Sequence, residues 1–313
     1  MGKLKALLLT EGMHGMISQV EGMAKALNAE YIHKIVKLSF PWNLIPPKFT
    51  PISQIVLKDK IYITENEIPN IIISCGRKSV IPSIFLKRKN SKIFTIHIQD
   101  PKVSFKNFDA IVAPEHDNLK GDNIYTSKGA IHYITESEIG KAKQYLFEKI
   151  KSKKIVSLIL GGPNKYYSFD ADQITNIFNQ IKSIFVSNGY KVIIIPSMRT
   201  PKEIIDLAIR EMSSCGYVVN GIDKQAYLSA YALANYVIVT CDSTSMISEA
   251  ATSGKPIFVA HMKAKRNNYR FKRFFKLFKQ MGITRDLGEK VENWTYNKHN
   301  EAERIALELK NKI

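Results

Sequence analysis

The chain predicts an α/β fold built from two doubly wound, Rossmann-like domains facing across a cleft. Three observations carry that expectation. Short apolar runs alternate with helical patterns through both halves, as parallel sheets covered by helices require. The alternation restarts at Lys154 after a stretch rich in Glu and Lys, and 313 residues are long for one domain but ample for two of about 150. A composition 45% hydrophobic and 10% aromatic can fill sizeable cores.

In the first half, strands are predicted at 5–10, 31–37, 71–74, 93–98, 110–113 and 124–126, with helices at 15–27 and 79–89. Residues 135–153 read as one helix joining the halves. Strands follow at 154–160, 191–196, 216–219, 236–240 and 257–260. Residues 300–313 read as a closing helix with Ala302, Ile305, Ala306 and Leu309 on one face. The expected domains are 1–140 and 141–298, with the terminal helix 299–313 able to pack back on the first.

Charge and cysteine usage narrow the partners. A net charge of +18 points to an anionic partner, yet only 9 of the 46 basic residues are Arg, the side chain that best reads phosphate. No helix-turn-helix, zinc finger or RNA-binding aromatic signature appears, so nucleic acid is not expected. The oligomeric state is not legible. Cys75, Cys215 and Cys241 are odd in number and far apart, which fits a reduced, cytoplasmic chain. The N-terminal apolar run is too brief for a signal peptide core, Ala6 breaks the myristoylation pattern, and no run approaches the roughly 20 residues that span a bilayer.

Two groups of polar residues sit at predicted strand ends. The first strand runs into Thr10-Glu11-Gly12-Met13-His14-Gly15 before a helix. Gly12 and Gly15 permit close ligand approach, and Glu11 and His14 are candidate catalytic bases there. Gln99 and Asp100 follow one strand, Glu115 and His116 the next. With His97 these are chemically able to hold a metal, but no tight ligand spacing ties them together, so no metal is predicted and acceptor contacts or caps remain.

The second half carries the candidate donor site. Gly161-Gly162-Pro163-Asn164-Lys165 follows the restart strand, and glycine N–H groups with one Lys suit a diphosphate. Ser197 and Arg199 follow the next strand, Arg199 as a bidentate phosphate reader. Ser243-Thr244-Ser245 lies where an apolar strand hands over to a helix. That is either an anion site or a plain N-cap. Glu249, four residues after Ser245, falls on the same helix face.

Residues 263–279 (KAKRNNYRFKRFFKLFK) hold eight basic residues and no acidic one. Phe271, Phe274, Phe275 and Phe278 make one stripe, which reads either as core or as a face for an anionic membrane, with Lys272, Arg273, Lys276 and Lys279 beside it. Lys87-Arg88-Lys89 is a second basic run.

Residues 221–260 resemble the donor-binding segment of GT-B glycosyltransferases, above all the enzyme that adds N-acetylglucosamine to lipid-linked peptidoglycan precursor. That likeness implies a ribose contact for Glu249, a GT-B-like fold, and chemistry that needs no bound metal. More widely, TEGMHGMISQVEG (10–22), SCGRKSV (74–80), IHIQDPK (96–102), APEHD (113–117), GGPNK, PSMRTP and VTCDSTSMISEAATSGKP resemble the mitochondrial fission (elongated mitochondria) family of alphaproteobacteria and plants. The resemblance implies a glycosyltransferase moving a sugar from a nucleotide-sugar to an envelope or lipid-linked acceptor, with the nucleotide-sugar as substrate and no cofactor. The protein would then be peripheral on the inner face of the cytoplasmic membrane. It equally implies a non-catalytic adaptor for a membrane or dynamin-like partner, since the plant namesake helps recruit the fission dynamin. A nucleotide-sugar epimerase is a third reading.

Overall fold

Branched apolar runs form strands here because a parallel sheet covered on both faces asks for side chains that pack on either side. The computed structural model describes residues 3–64, 67–288 and 290–313. In chain order its strands and α-helices are β1 (Lys5–Thr10), α1 (His14–Ala26), β2 (Glu30–Ile35), β3 (Ile71–Cys75), α2 (Val80–Lys89), β4 (Phe94–Ile98), β5 (Ala110–Pro114), β6 (Ile124–Ser127), α3 (Glu136–Lys141), α4 (Gln144–Ile150), β7 (Ile155–Leu160), α5 (Ala171–Ile184), β8 (Lys191–Pro196), α6 (Lys202–Met212), β9 (Gly216–Val218), α7 (Lys224–Leu233), β10 (Tyr236–Thr240), α8 (Thr244–Ala251), β11 (Ile257–Ala260), α9 (Tyr269–Gln280), β12 (Thr284–Asp286) and α10 (Glu301–Leu309).

The chain forms two compact units, Met1–Tyr133 with Glu301–Ile313, and Ile134–Asn300. The first holds a parallel sheet in the order β2-β1-β3-β4-β5-β6. Leu8, Ile71 and Ile73 pack on one face against Val20 and Met23 of α1 and Ala302, Ile305, Ala306 and Leu309 of α10. Leu7, Leu9 and Ile72 pack on the other face against Val56, Leu57 and Ile61 of the long β2–β3 connection and Ile81 and Leu86 of α2.

The second unit holds a parallel sheet in the order β12-β11-β10-β7-β8-β9. Counted from β7, this is the 3-2-1-4-5-6 order of dinucleotide-binding folds, with its reversal between β7 and β10. α5 and α6 put Ile174, Phe178, Ile181, Ile204 and Leu207 on Val156, Leu158 and Ile194.

Two details differ from the sequence expectation, and a third decides between readings it left open. The predicted single helix 135–153 is two helices, α3 and α4, and both pack on α7, so the change of unit falls at Tyr133/Ile134 rather than at residue 140. A capping box between Thr135 and Glu138 starts α3, and Ser229 Oγ accepts from Leu146 N at 3.0 Å. The three-residue β12 has no apolar pattern to announce it. The Phe stripe of α9 turns inward, which settles the open alternative as core: Phe274 and Phe278 are buried with their rings 4.1 Å apart, and Phe271 lies edge-on to Tyr167 at 5.4 Å. Lys272, Arg273 and Lys276 stay in solvent, whereas Lys279 pairs with Asp286 at 2.6 Å. Lys87 is no free surface cation either, since Asp109 lies 2.9 Å from it. Among the described residues, no helix is long and apolar enough to cross a membrane.

Candidate functional site

In open α/β sheets the loops at the strand-order reversal converge, so the loops after β7 and β10 define the candidate site of the second unit. Their centre is Asp242, a residue without a role in the sequence reading. Its carboxylate is fully covered. Oδ2 accepts from Arg199 Nη2 at 2.7 Å and from Gly162 N at 3.0 Å, and Oδ1 accepts from Thr240 Oγ1 at 2.7 Å. Gly161 N donates to Thr240 Oγ1 at 2.9 Å, and Arg199 Nη1 to Gly162 O at 2.7 Å.

This network changes the expected job of the Gly-Gly turn. Both N–H groups are already committed inside the loop and do not stand open for a diphosphate. The glycines are needed because a Cβ on Gly161 would meet Asp242 Oδ2 at 2.1 Å and one on Gly162 would meet Arg199 O at 2.0 Å. Arg199 is likewise not a free phosphate reader but half of an ion pair. Asn164 shapes the same loop, accepting from Tyr166 N at 2.7 Å and Tyr167 N at 3.0 Å while donating to Asp242 O at 3.0 Å. Ser197 Oγ bonds Thr200 Oγ1 at 3.2 Å. Lys165 is exposed, its ammonium 4.9 Å from the Tyr166 ring centroid.

Ser243 is the N-cap of α8, accepting from Met246 N at 3.3 Å, while Thr244 is half-buried and Ser245 exposed. Glu249 does not share Ser245's solvent-facing position. Its Oε2 accepts from Tyr227 Oη, which accepts in turn from Tyr231 Oη at 2.7 Å. The residue as a whole is only partly covered, but the carboxyl group itself is enclosed, and its own surroundings set its proton affinity. Burial pushes it up to about 7, against a smaller opposing effect of the Tyr227 hydrogen bond.

A cavity of about 760 Å³ opens at the carboxyl edge of the same sheet, lined by His261 and Asp286 at the β11 and β12 ends, Arg266 and Asn267 of the loop between β11 and α9, and Lys272 of α9. It adjoins the reversal loops: Met262 N donates to Cys241 Sγ at 3.2 Å, and Lys265 N to Tyr166 O at 2.7 Å. His261 Nε2 lies 2.8 Å from Asp286 Oδ1. Burial alone would push the Asp286 carboxyl up, but bonds from Lys279 and His261 outweigh it and hold the group below the usual carboxylate range. Among the described residues Arg266 and Lys272 have no carboxylate partner. Sequence reading took this stretch only as part of the basic, Phe-striped segment 263–279. The signal for a site was the break Arg266-Asn267-Asn268 directly after the strand end and its following loop.

The first unit has its own reversal, between β1 and β3. Glu11 Oε1 accepts from Lys78 N at 3.1 Å, and Oε2 lies 3.4 Å from Lys78 Nζ, so this candidate base is tied down. Gly12 at φ +86° is needed for the turn, its N–H donating to Thr10 Oγ1 at 3.0 Å. His14 is exposed at the start of α1, edge-on to the Tyr133 ring at 6.3 Å, with Gly15 beside it in open space. Gln99 donates to Gln19 Oε1 at 3.4 Å. Asp100 accepts from Lys102 N at 2.9 Å. Burial opposes its ionisation, yet the Lys102 bonds hold its pKa below the ordinary value. Glu115 is exposed in the turn Glu115–Asp117, and the side chain of His116 lies outside the described residues. His97, buried against Phe108 and Ser74, is pushed down to about 3 by burial, with only a weak opposing effect from Asp100. Among the described residues no three His, Cys, Asp or Glu side chains gather as metal ligands.

A sequence profile of the mitochondrial fission ELM1 family matches residues 14–313. The chain belongs to that family. Uncharacterized protein RP120 of Rickettsia prowazekii is 27% identical, over 76% of this chain and 78% of its own length. Mitochondrial fission protein ELM1 of Arabidopsis thaliana is 24% identical over 80% of this chain, which spans 65% of the plant protein, just under two thirds. Among solved structures, UDP-GlcNAc 2-epimerase of Methanocaldococcus jannaschii superposes at a TM-score of 0.57, with 14% identity over 98% of this chain and 99% of its own. A UDP-glucosyltransferase of Polygonum tinctorium gives 0.51, with 8% identity over 98% and 88%. At such identities the likeness speaks for the fold alone: this family member has a GT-B-like architecture.

Proposed function

We propose that the carboxyl edge of the second unit binds a nucleotide-sugar and that the protein transfers the sugar to an envelope or lipid-linked acceptor. The observation that carries this reading is the 760 Å³ cavity beside the reversal loops of a nucleotide-type sheet, lined by Arg266 and Lys272, which have no carboxylate partner among the described residues. In this mechanism the cations hold the diphosphate and stabilise its charge as the sugar C1–O bond breaks. The acceptor oxygen forms the new bond to C1 and gives up its proton to a base. Calorimetric titration with UDP, GDP, CMP and their sugars tests it. Arg266→Gln with Lys272→Gln is expected to weaken diphosphate binding at least tenfold, as loss of two charge-assisted contacts implies. Product analysis by NMR separates transfer from epimerisation.

One observation favours the adaptor reading: the reversal loops spend their donors on one another, with Asp242 accepting from Arg199, Gly162 N and Thr240 Oγ1. Absence of binding by every nucleotide would select it.

We further propose that the exposed cations of α9 hold the protein against anionic bilayers. Each basic residue near such a surface is worth about 1 kcal/mol. Arg273→Gln with Lys276→Gln is therefore expected to reduce co-sedimentation with anionic vesicles by roughly tenfold or more, with little binding to neutral vesicles in either form. Equal binding of wild type to both vesicle types would overturn this.

A further inference from the structure

We propose that β2 is the contact edge of a two-fold dimer of this chain, pairing antiparallel with β2 of a second copy. β2 lies at the end of its sheet, and five of its six residues are exposed. Soluble parallel sheets ordinarily cover or blunt such an edge, because it offers a row of backbone donors and acceptors. Here the edge instead carries apolar side chains on both faces: Ile32 is 66% exposed and Ile35 52%. Val36, the next residue along, is only 4% exposed.

Backbone direction and charge together select the occupant and its register. Glu30 N donates to Leu4 O and Val36 N to Thr10 O, so the even-numbered residues of β2 turn their backbone groups toward β1 and the odd-numbered ones outward. Two antiparallel copies can bond only where odd-numbered residues face odd-numbered residues. Of the registers that satisfy this, the one centred on Ile32 sets Glu30 of each copy opposite Lys34 of the other. It also sets Ile32 against Ile32 and His33 opposite residue 31. Shifting the centre to residue 31 or to His33 puts Glu30 opposite Ile32 or Val36 and loses the charge match. In the favoured register Glu30, Ile32 and Lys34 occupy the closely spaced positions of the ladder, about 4.5 Å between Cα atoms, where cross-strand side chains interact most. Two-fold symmetry forms the Glu–Lys contact twice, and the interface is self-complementary. Glu30 already lies 3.3 Å from Lys3, but both side chains are more than half exposed and remain open to the partner. The two six-stranded sheets then join into one.

Sedimentation velocity on the full chain tests the proposal. Wild type is expected to sediment as a dimer that dissociates on dilution. Lys34→Glu places Glu opposite Glu twice and is expected to raise the dimer Kd at least tenfold; Glu30→Lys does the same with Lys opposite Lys. The double variant Glu30→Lys/Lys34→Glu restores both matches and is expected to dimerise again. An equimolar mixture of the two single variants is expected to form a heterodimer. Both positions are exposed, so the variants leave the core intact. A wild type that stays monomeric at high concentration overturns the proposal. So does a dimer that Lys34→Glu leaves unmoved, or a double variant that fails to recover.

Discussion

Replacing Asp242 by Ala is expected to lower the unfolding free energy of the second unit by about 3–5 kcal/mol, the usual cost of removing one partner from a buried charge network. The carboxylate accepts from Arg199, Gly162 N and Thr240 Oγ1, and the Gly161 N–H rests on that same threonine hydroxyl. Without it, the Gly162 N–H loses its acceptor in a buried site, and an unmade buried hydrogen bond costs more than a made one contributes. Arg199 is 40% exposed on its side chain and recovers part of its loss from water, which favours the lower end of the range. Trp294 packs on the core of the second unit, so urea unfolding followed by its fluorescence in a Trp42→Phe background reports that unit. A cost below about 1 kcal/mol would show that the carboxylate does not anchor these loops.

Glu249→Gln is expected to stabilise the protein by up to about 3 kcal/mol at pH 8 and to flatten its pH dependence. Burial raises the folded-state pKa from 4.5 to about 7. Between those values the folded protein holds the proton and the unfolded chain does not, so stability falls as pH rises through that window. Above pH 7 both states are ionised, and the full cost of a desolvated carboxylate is present. Gln removes the charge and keeps an oxygen for Tyr227 Oη to donate to. Thermal unfolding of both proteins from pH 4 to 9 checks this. Curves that stay parallel across the window would show that the carboxyl group is solvated.

The positions of the strands were legible because burial on both faces leaves continuous Ile, Leu and Val runs, as in IIISC of β3 and IVSLIL of β7. Gly161, Gly162, Arg199 and the serines after β10 could be picked out for the same reason: they punctuate such runs where loops must converge. Glu11 and His14 followed from the end of β1. Asp242 was not legible, because one acidic residue in a Ser/Thr turn looks like any cap. Its partner Arg199 is 43 residues away in sequence, and only the parallel pairing of β10, β7 and β8 brings the two within 2.7 Å. Glu249 illustrates the limit of helical spacing, which gives the side of α8 it leaves but not whether Tyr227 or solvent waits there.

By itself, then, the sequence determined the α/β class, the two-part organisation, the order of strands along the chain and the loops at their carboxyl ends, since each depends on local patterns: continuous apolar runs for strands and a period of 3.6 for helices. Only the tertiary structure decided which donors and acceptors those loops keep for themselves, which face of the Phe stripe is buried, and that the edge of β2 stands uncovered. Those outcomes depend on contacts between residues tens of positions apart, and no local pattern encodes which partner a side chain meets after the sheet has formed.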